Sequence, residues 1–487
     1  MDARGIFENL SPLDHRYYQA NRSLFEALAN QLSERAAVSY CLEVEIALLR
    51  AHLRASGGLT DDAQRQVAAL RHLVTADAVA AEEAKTHHNV RALVNVIQRN
   101  LSSELATWVH VGATSVDILD TAQSLRIRDA VQGVVLPQLC DLVLELVERA
   151  REHAETAQVG RTHGRHAVPI TFGYALTEYV SRLGKCAKEI ADRAGDLRGK
   201  LSGAVGAYNA MSVVTADPIT LEREVLKELG LAPSEYTTQL VEPEYLLRLL
   251  LEINTAFGII ANLADDLRHL QRSEIDEVRE NFSTTQVGSS TMPQKRNPWN
   301  CEHIKSLWKA FMPRVQSFFM DQISEHQRDL SNSASSRFVG EFIAGFAAAV
   351  ARTREVIRGL GVDDQRMAVN MRLGKDLVLA EPAYICLALA GRADAHEVIR
   401  VATLRAEQEG CGVADVLRQD PAAWEAIDAR LRAVGYGDAD TFFLHPDRYR
   451  GRAVEKTRSL CDHHETVIQT LKQTLNQTLK EGAPHAT

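Results

Sequence analysis

The sequence predicts an all-α protein built around a bundle of unusually long helices, and three observations carry that reading. Aromatic residues make up only 6% of the chain while Ala and Leu abound, a balance that favours helix over sheet. Three segments, Asp117 to Ala154, Thr171 to Lys200 and Glu244 to Val278, each hold a helical pattern over about thirty residues or more. In the third, Leu246, Leu250, Ile253, Phe257, Ile260, Leu263, Leu267 and Leu270 recur at alternating spacings of three and four. That is the seam of a long antiparallel or coiled-coil-like neighbour, and we read it as core.

Helices of this size run to roughly 45–55 Å and exceed the globular mean, so their apolar residues need partners. A long bundle completed by other subunits supplies them. At 487 residues the chain exceeds one ordinary core. The pattern divides it into a helical N-terminal domain over 1–110, the long-helix bundle over 111–362 and a small helical C-terminal domain over 363–487. In the first domain a helix spans Ala36 to Ala55 and is stopped by Gly57-Gly58. A second helical stretch, Thr75 to Asn100, is interrupted by Thr86-His87-His88-Asn89. The paired histidines are a poor metal site, because helical neighbours point about a hundred degrees apart.

Polar, Gly-rich segments separate the long helices: His110 to Ser115, Gly160 to His166, Gly203 to Asn209 and Asn281 to Asn300. The last is the longest of these, and uncommitted stretches of that length are commonly functional lids. After Gly361 the helices shorten, ending in a polar C-terminal helix, with His463-His464 expected in solvent, and a loose tail.

The formal net charge of -9 argues against nucleic acid as a partner, because neutralising phosphates needs a basic surface. A local pocket for a small anion is compatible with that charge. The seven cysteines are scattered and never form a CxxC pair, so neither a disulfide framework nor a zinc site is indicated. The first residues hold no apolar core of signal-peptide length, and no stretch approaches the ~20 apolar residues of a membrane helix. A cytoplasmic protein without a membrane partner is expected.

The stretch Gly288-Ser289-Ser290-Thr291-Met292-Pro293-Gln294-Lys295-Arg296-Asn297-Pro298 carries the chemistry. It resembles, without a gap, the GSSxMPxKxNP signature of the fumarase/aspartase superfamily. His110-Val111-Gly112-Ala113-Thr114-Ser115-Val116-Asp117 and Gly160-Arg161-Thr162-His163-Gly164 resemble two further blocks, in the same order. Within the superfamily the details are similar to the adenylosuccinate lyase family. Thr162-His163-Gly164 has that family's form, Ser11 to Tyr17 is similar to its nucleotide-contacting Arg-Tyr segment, and Tyr236 to Gln239 to its substrate-contacting Gln motif. Gln327 to Ser333, followed by Arg337, is similar to its phosphate-binding segment.

The resemblance implies a fumarase/aspartase-like fold and β-elimination of fumarate from adenylosuccinate, and from the succinyl-carboxamide ribotide of purine synthesis. The implied base is Ser289 and the implied acid His163, with Glu302 orienting and charging His163. Serine is a poor base in water and must be activated, and a Gly-Ser loop that closes over substrate can do so. The carbanion-like state gathers charge on one carboxylate, and Lys295 with Asn297, Thr114 and Ser115 supplies the matching donors. Arg328, Ser333 and Arg337 offer phosphate donors, Arg16 and Tyr17 a second point, and His88, Asn89 and Gln239 further substrate contacts. No metal or organic cofactor is required. A homotetramer with active sites shared between subunits is implied.

One departure stands out: Asn89 lies where the family usually has Asp after His88. A neutral amide also donates, which alters contacts to the substrate without touching the elimination residues. It leaves open a relative that releases fumarate from another succinyl-nitrogen compound. A non-catalytic helical oligomer is disfavoured, because Ser289, Lys295 and His163 are all present. On composition alone Ser289 is turn chemistry and His163 a helix-entry residue, and it is the ungapped motifs that reverse both readings.

Overall fold

The computed structural model describes residues 5–282 and 288–481, and helices dominate throughout. Arg22–Leu32 (α1) leads into Glu34–Ala55 (α2), where the Ser33 hydroxyl accepts the Ala36 N–H at 3.1 Å. The polar cluster splits the next stretch into Ala76–Thr86 (α3) and Asn89–Arg99 (α4), with His87 at φ 51° between them.

The bundle is formed by Ser115–Glu152 (α5), Phe172–Gly195 (α6), Glu244–Leu270 (α7), Trp299–Phe311 (α8) and Val339–Arg358 (α9). The 38 residues of α5 span roughly 57 Å, with one π-type turn at Val131–Val135 that widens the helix without ending it. Leu250, Ile253, Phe257, Ile260, Leu263 and Leu267 are at most 2% exposed, and Leu246 and Leu270 are partly buried at either end. The seam is core. By length and mean hydropathy α5 and α7 do match a membrane span, contrary to the expectation from sequence. Their apolar faces are the inside of the bundle.

Two helix ends differ from expectation. α6 stops at Gly195, and beyond it Lys200 turns inward to pair with Asp117. α7 stops at Leu270 rather than Val278, because Gln271 to Glu274 offers no residue for the seam. Val278–Arg279 (β5) instead pairs antiparallel with Gly361–Val362 (β6). The Gly160–His166 segment is also not a loop: Ala157–Thr162 (β1) and Arg165–Thr171 (β2) form a hairpin. Arg198–Gly199 (β3) pairs in parallel with Ala232–Pro233 (β4). These short ladders brace an otherwise helical fold.

Beyond the bundle, Asp364–Met371 (α10), Ala380–Leu389 (α11), Ala395–Glu409 (α12) and Pro421–Ala433 (α13) enclose a separate core around Leu387, Ile399 and Ile427. The last helix, Ala453–Glu481 (α14), returns to the central bundle, where Cys461, Ile468 and Leu475 join the main core. His464 lies on that same stripe and is 3% exposed, so its expected solvation is corrected. A Cβ on Gly184 of α6 would stand 2.4 Å from its Nδ1, so the two helices touch through glycine and imidazole. The part of the Asn281–Asn300 segment at 283–287 lies outside the described residues.

Candidate active site

Thr114 caps the N-terminus of α5 and Ser115 is its first residue, at the positive end of a very long helix. Asp117, fully buried, holds this end: its Oδ2 accepts the Thr114 N–H at 2.8 Å, and Gly203 N–H reaches both oxygens at 3.2 Å. Lys200, equally buried, donates to Asp117 and to the Gly203 carbonyl. Sequence reasoning did not find this pair.

The Gln239 turn joins the same end of the bundle. Ser202 and Thr237 share a hydroxyl hydrogen bond of 2.6 Å, and the Val241 N–H donates to Asp120 Oδ2 at 2.9 Å. The Gln239 N–H donates to the Gln327 carbonyl at 3.1 Å, tying the turn to the expected phosphate-binding segment. Arg328 is half-buried at φ 83°, and its guanidinium donates to the carbonyls of Asp321 and Gln322 at 2.7 and 3.1 Å. The Arg328 guanidinium is thus already engaged within the chain by these two carbonyls. Ser333 and Arg337 are exposed on the following turn.

His88 and Asn89 open α4. His88 Nδ1 accepts the Arg91 N–H at 3.3 Å, which leaves Nε2 as the protonated nitrogen, while Asn89 Oδ1 accepts the Val90 N–H at 2.8 Å. Both are exposed. His110, not singled out from sequence, bonds through Nδ1 to buried Glu45 at 2.6 Å. Burial disfavours the imidazolium, but the Glu45 hydrogen bond and charge outweigh it and raise its pKa. The matching pattern was there to read, because Glu45 is an acidic residue inside an apolar helix face.

His163 sits on the tip of the β1–β2 hairpin, exposed, and not at a helix entry. His163 and Gly164 have φ of 55° and 73°, the two positive values of a two-residue type I′ turn. The hairpin is fastened by Glu277, fully buried, which takes Arg161 at 2.5 and 3.1 Å, Gln158 at 2.8 Å and Asn370 at 2.9 Å.

In the signature loop, Ser289 Oγ accepts the N–H groups of Met292 at 3.0 Å and Thr291 at 3.3 Å. Donors aimed at a hydroxyl oxygen favour its alkoxide, the form a base needs. Asn297 Nδ2 donates to the Gly288 carbonyl at 3.0 Å and closes the loop, leaving Lys295 exposed. Glu280 caps α8 by accepting the N–H groups of Asn300 and Cys301 at 3.2 and 2.9 Å. Glu302 is exposed in the first turn of α8, and next to it His303 Nε2 bonds Tyr17 Oη at 2.9 Å. Tyr17 is thus joined to the signature helix, with Arg16 exposed beside it.

Within one chain, then, Thr114, Ser115, Gln239 and Arg328 gather at one end of the bundle, and Tyr17 meets the signature helix. Among the described residues no hydrogen bond or ion pair joins His163 to Glu302 or to Ser289, so the expected His163–Glu302 contact is not made inside the chain. No group of three or more His, Cys, Asp or Glu among the described residues is placed to hold a metal ion.

Residues 15–310 match the lyase family model, and residues 324–437 match the adenylosuccinate lyase C-terminal model. The adenylosuccinate lyase of Pyrococcus abyssi is 31% identical over 462 residues, covering 93% of this chain and 98% of that protein. The N-acetyl-S-(2-succino)cysteine lyase of Dickeya dadantii is 28% identical over 432 residues, covering 87% and 91%. The crystal structure of a 3-carboxy-cis,cis-muconate lactonizing enzyme from Pseudomonas putida superposes with a TM-score of 0.77 at 26% identity, covering 92% and 99%. With the signature loop intact and the alignment running through nearly the whole chain, this protein belongs to the adenylosuccinate lyase family of the fumarase/aspartase superfamily, carbon–nitrogen lyases that release fumarate.

Proposed function

We propose that the chain converts adenylosuccinate to AMP and fumarate, and cleaves the succinyl-carboxamide ribotide of purine synthesis in the same way. The observation that carries this reading is the Ser289 hydroxyl, which receives two backbone N–H donors inside an intact signature loop. Ser289 takes the proton from the carbon beside the succinyl carboxylate. The electron pair forms the fumarate double bond as the carbon–nitrogen bond breaks, and His163 gives its proton to the departing nitrogen. Lys295 and Asn297 meet the charge gathering on the carboxylate, with the α5 N-terminus at Thr114 and Ser115 as a second anion site. Arg328, Ser333 and Arg337, with Arg16 and Tyr17, select a phosphate-bearing nucleotide, and Gln239, His88 and Asn89 contact the rest.

On this reading the enzyme is a cytoplasmic, three-domain homotetramer whose sites draw the His163, Glu302 and Ser289 segments from different subunits, which fits the lack of a hydrogen bond or ion pair among these three residues within the described part of one chain. Fumarate release from adenylosuccinate, with argininosuccinate, aspartate, malate and N-acetyl-S-(2-succino)cysteine run alongside, tests the substrate. Ser289→Ala tests the base: release from adenylosuccinate should fall at least ~100-fold, and undiminished release would remove Ser289 from that role.

A second reading has its own support. Asn89 departs from the family's usual Asp, and a relative covering most of the chain acts, by its name, on a succinylated thiol compound. Release from another succinyl donor alone, by a folded tetramer, would favour it.

A further inference from the structure

Asp120 lies on α5, a turn beyond Asp117. Its Oδ2 accepts the Val241 N–H at 2.9 Å, two residues after Gln239. Arg328 shares with Asp120 a cavity of about 90 Å³ that Ser124, Tyr245, Asp321 and Asn332 also line. The Arg328 Nε is buried without a hydrogen-bond partner. Thr237 and Val241 bridge each other, so fixing Val241 fixes the whole turn on which Gln239 rides. That turn in turn holds the Gln327 carbonyl through the Gln239 N–H.

We propose that Asp120 is a positioning residue that sets the Gln239 turn and the Arg328–Arg337 segment against the N-terminus of α5. It rests on the reading of that segment as the phosphate site and adds the group that places it. Accepting the Val241 N–H gives the turn one anchor, and the Asp120 charge, on the cavity it shares with Arg328, gives the segment the other. Burial pushes the Asp120 carboxyl up to about 6, opposed by the Val241 N–H, Lys200 and Arg328, with Asp117 adding to the rise. Glu242 and Asp321 also line the cavity, so the pH response belongs to this group of charges and is read by difference between variants.

The test compares the purified full-length wild type with Asp120→Ala and Asp120→Asn. Amide exchange over residues 236–242 is read by mass spectrometry, and fumarate release from adenylosuccinate is read between pH 5 and 8. Asp120→Ala should speed exchange in that peptide and raise KM about tenfold or more, the loss of one charge-assisted hydrogen bond, with kcat changed by less than about threefold. Asp120→Asn keeps an acceptor for the Val241 N–H, so exchange should stay near wild type while KM rises partway. It should also flatten the rise in kcat/KM through about pH 6. Unchanged exchange and KM in Asp120→Ala, or a fall in kcat at constant KM, overturns the proposal. If Asp120→Ala does not fold, an Asp120→Asn enzyme with wild-type KM and pH profile overturns it. Should the wild type release nothing from adenylosuccinate, the substrate reading fails, and the exchange experiment alone decides the role of Asp120.

Discussion

Replacing Glu277 by Ala should both destabilise the protein and slow its chemistry, because one buried carboxylate holds the hairpin that presents His163. Glu277 is fully buried and accepts four hydrogen bonds, two from Arg161 and one each from Gln158 and Asn370. Truncation leaves the Arg161 cation, its side chain 17% exposed, without its counter-charge. It also strands the Gln158 amide, at 3% exposure, and leaves Asn370, at 1%, with the Ile275 carbonyl as its remaining acceptor. Removing one member of a buried pair costs about 3–5 kcal/mol, and a displacement of ~1 Å at a reacting group can cost about 100-fold in rate. Urea unfolding at fixed protein concentration reads the first effect, and fumarate release per folded enzyme reads the second. Glu277→Gln, which keeps one acceptor, should fall between. A double variant, Arg161→Met with Glu277→Leu, should lose less stability than Glu277→Ala, since no buried cation is left alone. A Glu277→Ala midpoint equal to wild type would refute the strut. A lowered midpoint with wild-type turnover would refute its link to His163.

Two further tests follow from close contacts. Gly206 has φ 76°, and a Cβ there would lie 2.0 Å from the Thr237 carbonyl oxygen. Gly206→Ala should therefore displace the Gln239 turn and raise KM several-fold or more, about 1–3 kcal/mol of strain, while the helical circular dichroism stays unchanged. His464 is held neutral by burial first, with His463 and Lys185 adding to the lowered pKa. A depressed folded-state value means its contribution is present above the ordinary value of 6.5 and is lost as the pH falls below it. His464→Leu should thus flatten the loss of thermal stability between pH 6.5 and more acidic conditions, read by melting curves across pH.

The bundle was legible because its code is local: the seam from Leu246 to Leu270 alternates by three and four, and each of its residues is buried or partly buried. The segments just past α6 and α7 were not, since their partners are distant, Asp117 for Lys200 and Val362 for Val278, although the end of α7 itself lies where Gln271 to Glu274 breaks the seam. The hairpin around His163 was masked for the same reason. Thr162-His163-Gly164 reads as a polar loop until β2 pairs with β1 and the two positive φ values make it a tight turn. His464 was misplaced because its neighbour His463 suggested a polar pair, although the spacing Cys461, His464, Ile468, Leu475 marks an inward stripe. Ser289, Lys295 and Asn297 are singled out by an ungapped motif, whereas Asp120, Glu277 and Glu280 hold the structure through contacts that no short motif contains.

Those missed residues share a physical logic. The segments that carry site residues are irregular backbone, whose N–H groups have no helix or ladder to satisfy them. A carboxylate accepts up to about four hydrogen bonds and donates none, so it suits that task. Asp117 serves Thr114 and Gly203, Asp120 serves Val241, and Glu222 accepts the Leu201 N–H at 2.6 Å together with Tyr208. Glu277 serves the His163 hairpin, Glu280 the start of the signature helix, and Glu45 the ring of His110. In each case the acid takes up donors that the neighbouring backbone or side chains would otherwise leave unpaired. Amide replacement at these positions keeps shape but adds a donor where only acceptance is wanted. The acidic balance of the chain is thus partly scaffold: buried carboxylates are committed to backbone N–H groups, as at Asp117, Asp120, Glu222 and Glu280, or to side-chain donors, as at Glu277 and Glu45.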